Sequence, residues 1–200
     1  MSTYTIPNVI AQHPRGERIM DVYSHLLTER IIYLGTAIDA GVANALVAQL
    51  LYLEADSPDR DIQLYINCEG GDPSAMLAVY DTLRYIRARV ATTCVGQAVA
   101  VGAVLLAAGS PGMRSALPHT RVVLHQPVGQ SRGAIPDLIL QADEVVRVRG
   151  DMEQILSRHT GQDTATLRAD TDRDRVFTAQ AALDYGLIDQ VIEERKPLPM

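Results

Sequence analysis

Ile62-Gln63-Leu64-Tyr65-Ile66-Asn67 and Val90-Ala91-Thr92-Thr93-Cys94-Val95 bracket a helical stretch at residues 73–86, and this order decides the fold. The first segment alternates apolar and polar side chains with period two, as a strand does, and the second is short and β-rich. A small-residue helical run at 99–109 follows the second strand. Strand, helix, strand, helix requires crossover connections, so the expected class is α/β with a mainly parallel sheet.

The alternation continues outward. Residues 39–55 place Val42, Leu46, Val47, Leu50, Leu51 and Leu53 at three- and four-residue spacing behind Asp39, a helix with its start signal. Before it, Arg30-Ile31-Ile32-Tyr33-Leu34-Gly35 reads as a buried strand ended by glycine, and 21–28 as a short helix. Downstream, Arg121-Val122-Val123-Leu124-His125 is a strand, 126–133 a glycine-containing polar run, and 135–159 the longest helix. That helix carries Leu138, Ile139, Ala142, Val145, Val146, Met152, Ile155 and Leu156, more apolar surface than a small domain covers, so part of it is expected to face another subunit. A helix at 178–185 stopped by Gly186, a strand at 187–192 and a polar tail complete the chain. The first twenty residues mix Pro7, Pro14 and Gly16 with apolar residues and suit an arm or loop better than a core element.

Two hundred residues, 47% of them hydrophobic, suit one compact domain. The net charge of −6 with no basic block argues against a nucleic-acid partner. No run approaches the roughly 20 apolar residues that span a bilayer, and Met1-Ser2-Thr3-Tyr4 lacks the basic start of a secretory signal. The expectation is a soluble, cytoplasmic protein with no membrane partner. Cys68 and Cys94 have no metal-ligand spacing, so no zinc site or disulfide framework is expected and both read as packing residues. Lys196 is the only lysine and alanine is abundant, a composition that fits a bacterial genome of high GC content.

Three loops fall at the carboxyl ends of strands, where open α/β sheets place their sites. Gly96-Gln97-Ala98-Val99-Ala100-Val101-Gly102-Ala103 has the form of a strand-to-helix elbow that presents a nucleophile, and holds alanine at residue 100. The same segment also reads as a tightly packed junction. Asn67-Cys68-Glu69-Gly70-Gly71-Asp72 makes Gly71 a candidate oxyanion donor beside the N–H of Val101, or a tight turn before the next helix. His125 is a candidate general base or a scaffold histidine; Asp174, in Asp172-Arg173-Asp174-Arg175, is a candidate orienter of its imidazole or a solvated carboxylate. His13, His25, His119 and His159 have no comparable setting.

Taken together these segments resemble the Clp protease proteolytic subunit family over nearly the whole chain. The matching stretches are Arg15-Gly16-Glu17-Arg18, Leu27 to Gly35, Leu64-Tyr65-Ile66-Asn67 before Gly70-Gly71, Ala78-Val79-Tyr80-Asp81-Thr82, Gly96-Gln97-Ala98, Leu105-Leu106-Ala107-Ala108-Gly109, Ala116-Leu117-Pro118, Leu124-His125-Gln126-Pro127, His159-Thr160-Gly161 and Asp172-Arg173-Asp174-Arg175. The resemblance implies the fold that family shares with crotonases: an N-terminal axial arm at 1–20, a head at 21–125 completed by 161–200, and a protruding handle of strand plus long helix at 126–160. It implies a serine endopeptidase with His125 as base, Asp174 as its orienter, Gly71 and Val101 as oxyanion donors, and Ala100 in the place of the serine. It also implies an edge strand from Pro127 through Val128 and Gly129 to Gly133 that binds substrate by strand addition. No cofactor is implied, since ATP is used by a partner. The implied partners are heptameric rings of itself stacked into a tetradecamer, possibly mixed with a paralogue, a hexameric Clp ATPase and unfolded polypeptides. Asp172 and Arg173 are implied ring contacts, and Leu51 and Tyr65 implied parts of the ATPase docking pocket.

Two features depart from the family pattern. Cys68-Glu69 replaces the usual Ser-Pro before the glycines, and Ala100 lacks the hydroxyl an acyl-enzyme needs. The reading taken is an engineered serine-to-alanine change, because His125, Asp174 and the glycine pair persist. The alternatives are a naturally inactive subunit of a mixed complex and, more remotely, a crotonase-like enzyme acting on coenzyme A thioesters.

Overall fold

A computed structural model describes residues 5–13, 16–128 and 132–194. The elements in order are β1 (Asn8–His13), β2 (Gly16–Asp21), α1 (Val22–Thr28), β3 (Ile31–Leu34), α2 (Ala40–Asp56), β4 (Ile62–Cys68), α3 (Pro73–Tyr85), β5 (Val90–Val99), α4 (Val101–Ala107), β6 (Arg114–Ala116), β7 (Arg121–Leu124), α5 (Ile135–Thr160), α6 (Thr164–Asp170), β8 (Arg175–Thr178), α7 (Ala179–Tyr185) and β9 (Gln190–Val191). The expected α/β crossover pattern is what forms. Strands β3, β4, β5, β6 and β9 pair in that order, all parallel, and β7 joins β5 in parallel while β8 closes antiparallel on β7.

Local chemistry sets the boundaries. The side chains of Asp21, Asp39, Asp72, Asp163 and Thr178 accept from backbone N–H groups in the first turns of α1, α2, α3, α6 and α7, satisfying donors that a helix start leaves unpaired. Gly161 and Gly186 end α5 and α7 in the left-handed conformation. In β4 the alternation is realised: Ile62, Leu64, Ile66 and Cys68 are buried, with the intervening residues half-open. All seven residues of α4 are buried, and the smallness of the run has a cause, because a Cβ on Gly102 would lie 2.9 Å from the Cβ of Cys68.

Two buried arginines tie the ends of elements together. Arg30, only 3% exposed, donates to the carbonyls of Leu53, Ser57, Arg60 and Asp61 and so closes the C-terminal end of α2. Arg114 forks onto Asp189 and donates to the carbonyls of Ala107, His159 and Gly186, joining the ends of α4, α5 and α7.

The segment expected as an arm or loop holds regular structure among its described residues: β1 and β2 pair antiparallel, and the ladder supplies partners for backbone groups that a loop would leave to water. Pro7 precedes the ladder, and Gly16, at φ +115°, begins its second strand. The edge strand expected from Pro127 is absent among the described residues, where Pro127, Val128, Arg132 and Gly133 pair with no strand. A strand needs a neighbour, and β7 stops at Leu124. Gly129 lies outside the described residues.

Candidate active site

Strand β5 builds the centre of the site by changing partners. Thr92, Thr93 and Cys94 pair with β6, whereas Gln97, Ala98 and Val99 pair with β7, and the register against β4 slips between Ile66 and Cys68. Gly96 sits at the slip with φ +92°, and a Cβ there would lie 2.7 Å from Asn67 Oδ1. The bulge re-aims the strand, which then runs straight into the elbow.

Ala100 occupies that elbow with φ +48° and ψ −106°, one of two non-glycine residues at positive φ among the described residues, and is 7% exposed. Its N–H donates to Val123 O at 2.9 Å and its carbonyl accepts from Val104 N. Backbone held in so sparsely populated a region costs about 1–3 kcal/mol and persists where the surroundings impose it. Val101, the next residue and the first of α4, has a first-turn N–H that the helix cannot use internally.

Gly71 lies beside Ile38 in an isolated parallel bridge: Ile38 N donates to Gly70 O at 2.9 Å and Asp72 N donates to Ile38 O at 2.7 Å. Alternation along the backbone therefore turns the Gly71 N–H away from Ile38. No side chain fits here. A Cβ would lie 2.2 Å from Ile38 O, and φ is +138°. Cys68, just upstream, donates its Sγ–H to Gly70 O, and burial raises its thiol above the ordinary range. It is a packing group rather than a substitute nucleophile. Burial likewise pushes Cys94 up to about 12.

His125 follows β7, two residues beyond the Val123 carbonyl that holds Ala100. The antiparallel register pairs Leu124 with Arg175, so one further step sets His125 across from Asp174. The two are neighbours in register, yet they are not hydrogen-bonded. His125 Nδ1 instead lies 2.6 Å from Gln126 O, and since a carbonyl only accepts, Nδ1 carries the proton and Nε2 is left as the acceptor. The Asp174 side chain is exposed and makes no hydrogen bond or ion pair among the described residues. The orienting bond expected between the two is thus replaced, in the single chain, by a bond to the nearest carbonyl.

Loops at the carboxyl ends of β4, β5 and β7, neighbouring strands of one sheet, thus carry a glycine turn, a strained elbow and a histidine. The Clp protease family model matches residues 14–195. The chain belongs to the Clp protease family. It is similar to the ATP-dependent Clp protease proteolytic subunit 1 of Nocardia farcinica, with 72% identity over 98% of this chain and 100% of the relative. Identity to subunit 4 of Rhodococcus jostii is 57% over 96% of the chain and 99% of the relative, and to subunit 2 of Streptomyces avermitilis 55% over 98% of each.

In this Clp protease chain the remaining expected site residues are dispersed. Asp172 and Arg173 are exposed and face each other at 3.9 Å in the turn before β8. Leu51 projects from α2 and is exposed, whereas Tyr65 lines a cavity of about 410 Å³ with Gln63, Thr93, Ser115, Leu117 and Ile192. Leu51 does not line that cavity. Pro127 is half-buried and Val128 is 84% exposed. Two residues with a bearing on the site escape sequence reading. Gln126 was visible only as a member of the His125-Gln126-Pro127 run, and Arg175 only as charge beside Asp174; Arg175 pairs with Asp170 and lies about 5 Å from the ring centres of Phe177 and Tyr185, anchoring the Asp174 turn.

Proposed function

We propose that this chain is the proteolytic subunit of an ATP-dependent Clp protease, a serine endopeptidase by design whose nucleophile position is occupied by Ala100. The observation that carries the proposal is the backbone of Ala100. Alanine gains nothing from φ +48° and ψ −106°, whereas that conformation is the one in which a hydrolase elbow exposes a serine. With serine at 100, its Oγ would attack the scissile carbonyl while His125 Nε2 takes the proton. The N–H groups of Gly71 and Val101 would hold the oxyanion, and the imidazolium would return the proton to the leaving amine before water completes hydrolysis. Asp174, across from His125 in register, is the orienting carboxylate. As written the chain is silent, since loss of the nucleophile in this chemistry costs about a millionfold in turnover. The reaction needs no metal or cofactor of its own, ATP serving the partner.

The assembly reading rests on α5. Its buried residues, Val148, Met152, Glu153, Ile155 and Leu156, all lie in the C-terminal half, while Ile135 and Leu140 are 74% and 68% exposed. That uncovered apolar half is the handle through which stacked heptameric rings meet, with Asp172 and Arg173 at ring contacts, Leu51 and Tyr65 at the docking face for a hexameric Clp ATPase, and Pro127 to Gly133 pairing with an unfolded substrate. The test is Ala100→Ser with a cognate Clp ATPase and an unfolded protein: cleavage should appear, and its absence would refute the reading. Ala100 itself favours a second reading, a naturally inactive subunit that shapes a mixed chamber. A serine codon at position 100 of the native gene eliminates it.

A further inference from the structure

Asn67 stands opposite a three-residue stretch of β5. Ile66 pairs with Cys94 and Cys68 with Ala98, so β4 advances two residues while β5 advances four, and Val95, Gly96 and Gln97 bulge past Asn67. The Asn67 carboxamide fills the bulge. A Cβ on Gly96 would lie 2.7 Å from its Oδ1 and 3.2 Å from its Cγ, and the same Oδ1 accepts from Gln97 N at 3.3 Å. Gln97 has no partner in the β4 register, and the side chain supplies its N–H with an acceptor.

What this bond controls follows from the two edges of β5. Backbone donors alternate between edges, so Ala100 N–H, bonded to Val123 O, faces β7, while Gln97 N–H faces β4. The β7 ladder, Gln97 to Val99 against Arg121 to Val123, sets the elbow relative to His125 and does not depend on Asn67. It does not set the elbow relative to Gly71, which lies on the continuation of β4. Beyond the slip a single registered pair, Cys68 with Ala98, joins β4 to β5, and the bond from Gln97 to Asn67 flanks it.

Resting on the active-site reading above, we propose that Asn67 is a positioning residue: its carboxamide fixes the slip, and with it the separation of the Gly71 and Val101 N–H groups that share one oxyanion. Two donors converge on one oxygen only at a fixed spacing, so an error here weakens transition-state stabilisation and leaves the base untouched.

The test separates oxyanion stabilisation from substrate binding and from the base. In the Ala100→Ser form with a short fluorogenic peptide, Asn67→Ala should lower kcat about 10- to 100-fold, the size of effect that small misplacements produce. KM and the pH limb set by His125 should not move. Phosphonylation of the serine at position 100 by a fluorophosphonate should slow by a similar factor, and Asn67→Asp, which keeps an acceptor for Gln97 N–H, should restore part of both rates. In the chain as it stands, amide exchange resolved to single residues should quicken at Gln97 in Asn67→Ala and not at Ala100, whose N–H belongs to the β7 edge. Should Asn67→Ala fail to assemble by native mass spectrometry, Asn67→Ser shortens the side chain while keeping it polar, and the same results are expected of it. An Ala100→Ser form that neither cleaves nor labels refutes the active-site reading, and the exchange at Gln97 still decides whether Asn67 holds the bulge. A parent kcat in Asn67→Ala, a rise in KM alone, a displaced pH limb or unchanged exchange at Gln97 overturns the proposal.

Discussion

Replacing Arg114 by methionine should loosen the helix that presents Ala100, and the size of the effect follows from what Arg114 touches. Its guanidinium donates to both oxygens of Asp189, at 2.9 and 2.5 Å, and to the carbonyls of Gly186 and His159 at 2.9 Å and of Ala107 at 3.4 Å. The Asp189 side chain is 22% exposed, so some water can reach it once the arginine is gone. Breaking a buried pair from one side costs about 3–5 kcal/mol, and partial hydration of Asp189 puts the expected loss at the lower end, about 3 kcal/mol. Arg114→Lys restores charge without the fork and should recover part of it. The chain contains no tryptophan, so urea unfolding followed by far-ultraviolet circular dichroism at fixed protein concentration is the suitable assay. A loss under 1 kcal/mol would show that the staple is incidental.

The pH dependence supplies a slope that cannot be mistaken for general weakening. Burial alone would raise the Asp189 carboxyl, but the hydrogen bonds and charge of Arg114 outweigh it and hold the group below the ordinary carboxylate range. A depressed acid contributes stability above its unfolded value, about 3.9, and loses it as pH falls through the lower folded value. The parent should therefore lose stability on acidification below about pH 4. In Arg114→Met the guanidinium's hydrogen bonds and charge are gone and only the main-chain N–H bonds from residues 112 and 114 still oppose burial, so the loss of stability on acidification should be shallower than in the parent. Equal slopes in parent and variant would refute the account.

Gly71→Ala should cost about 3 kcal/mol or more, from positive φ and the clash with Ile38, and in the Ala100→Ser form should abolish fluorophosphonate labelling; a folded, fully labelled variant would remove Gly71 from the site. His159 is pushed down to about 4 by burial first and then by Arg84, Arg114 and Arg158, so its contribution is present above about pH 6.5 and lost as pH falls toward about 4. His159→Gln, which can still reach the Tyr80 hydroxyl, should flatten that part of the stability profile by about 2 kcal/mol, and an unchanged slope between these pH values would contradict the assignment.

The parts of the molecule legible in the sequence are those governed by short-range periodicity. The β4–α3–β5 order, the start signal at Asp39 and the stop at Gly186 each follow from residues a few positions apart and appear where the pattern put them, while the last helix begins one residue later than its pattern, with Thr178 as its cap. Where the pattern fails, long-range pairing decides. Strand β8 was hidden in a charged run because three of its four residues are exposed, and only its ladder with β7 makes it a strand. The same ladder is what sets Asp174 opposite His125, so the carboxylate's place in the site depends on an element that composition alone does not announce. The acceptor of the His125 proton illustrates the limit most sharply. The residue types propose a carboxylate at Asp174, whereas in the single chain His125 Nδ1 meets the main-chain carbonyl of Gln126, whose side-chain amide accepts separately from Arg149, 23 positions downstream. Several acceptors lie within reach of a histidine at a strand end, and only the folded backbone decides which of them His125 takes.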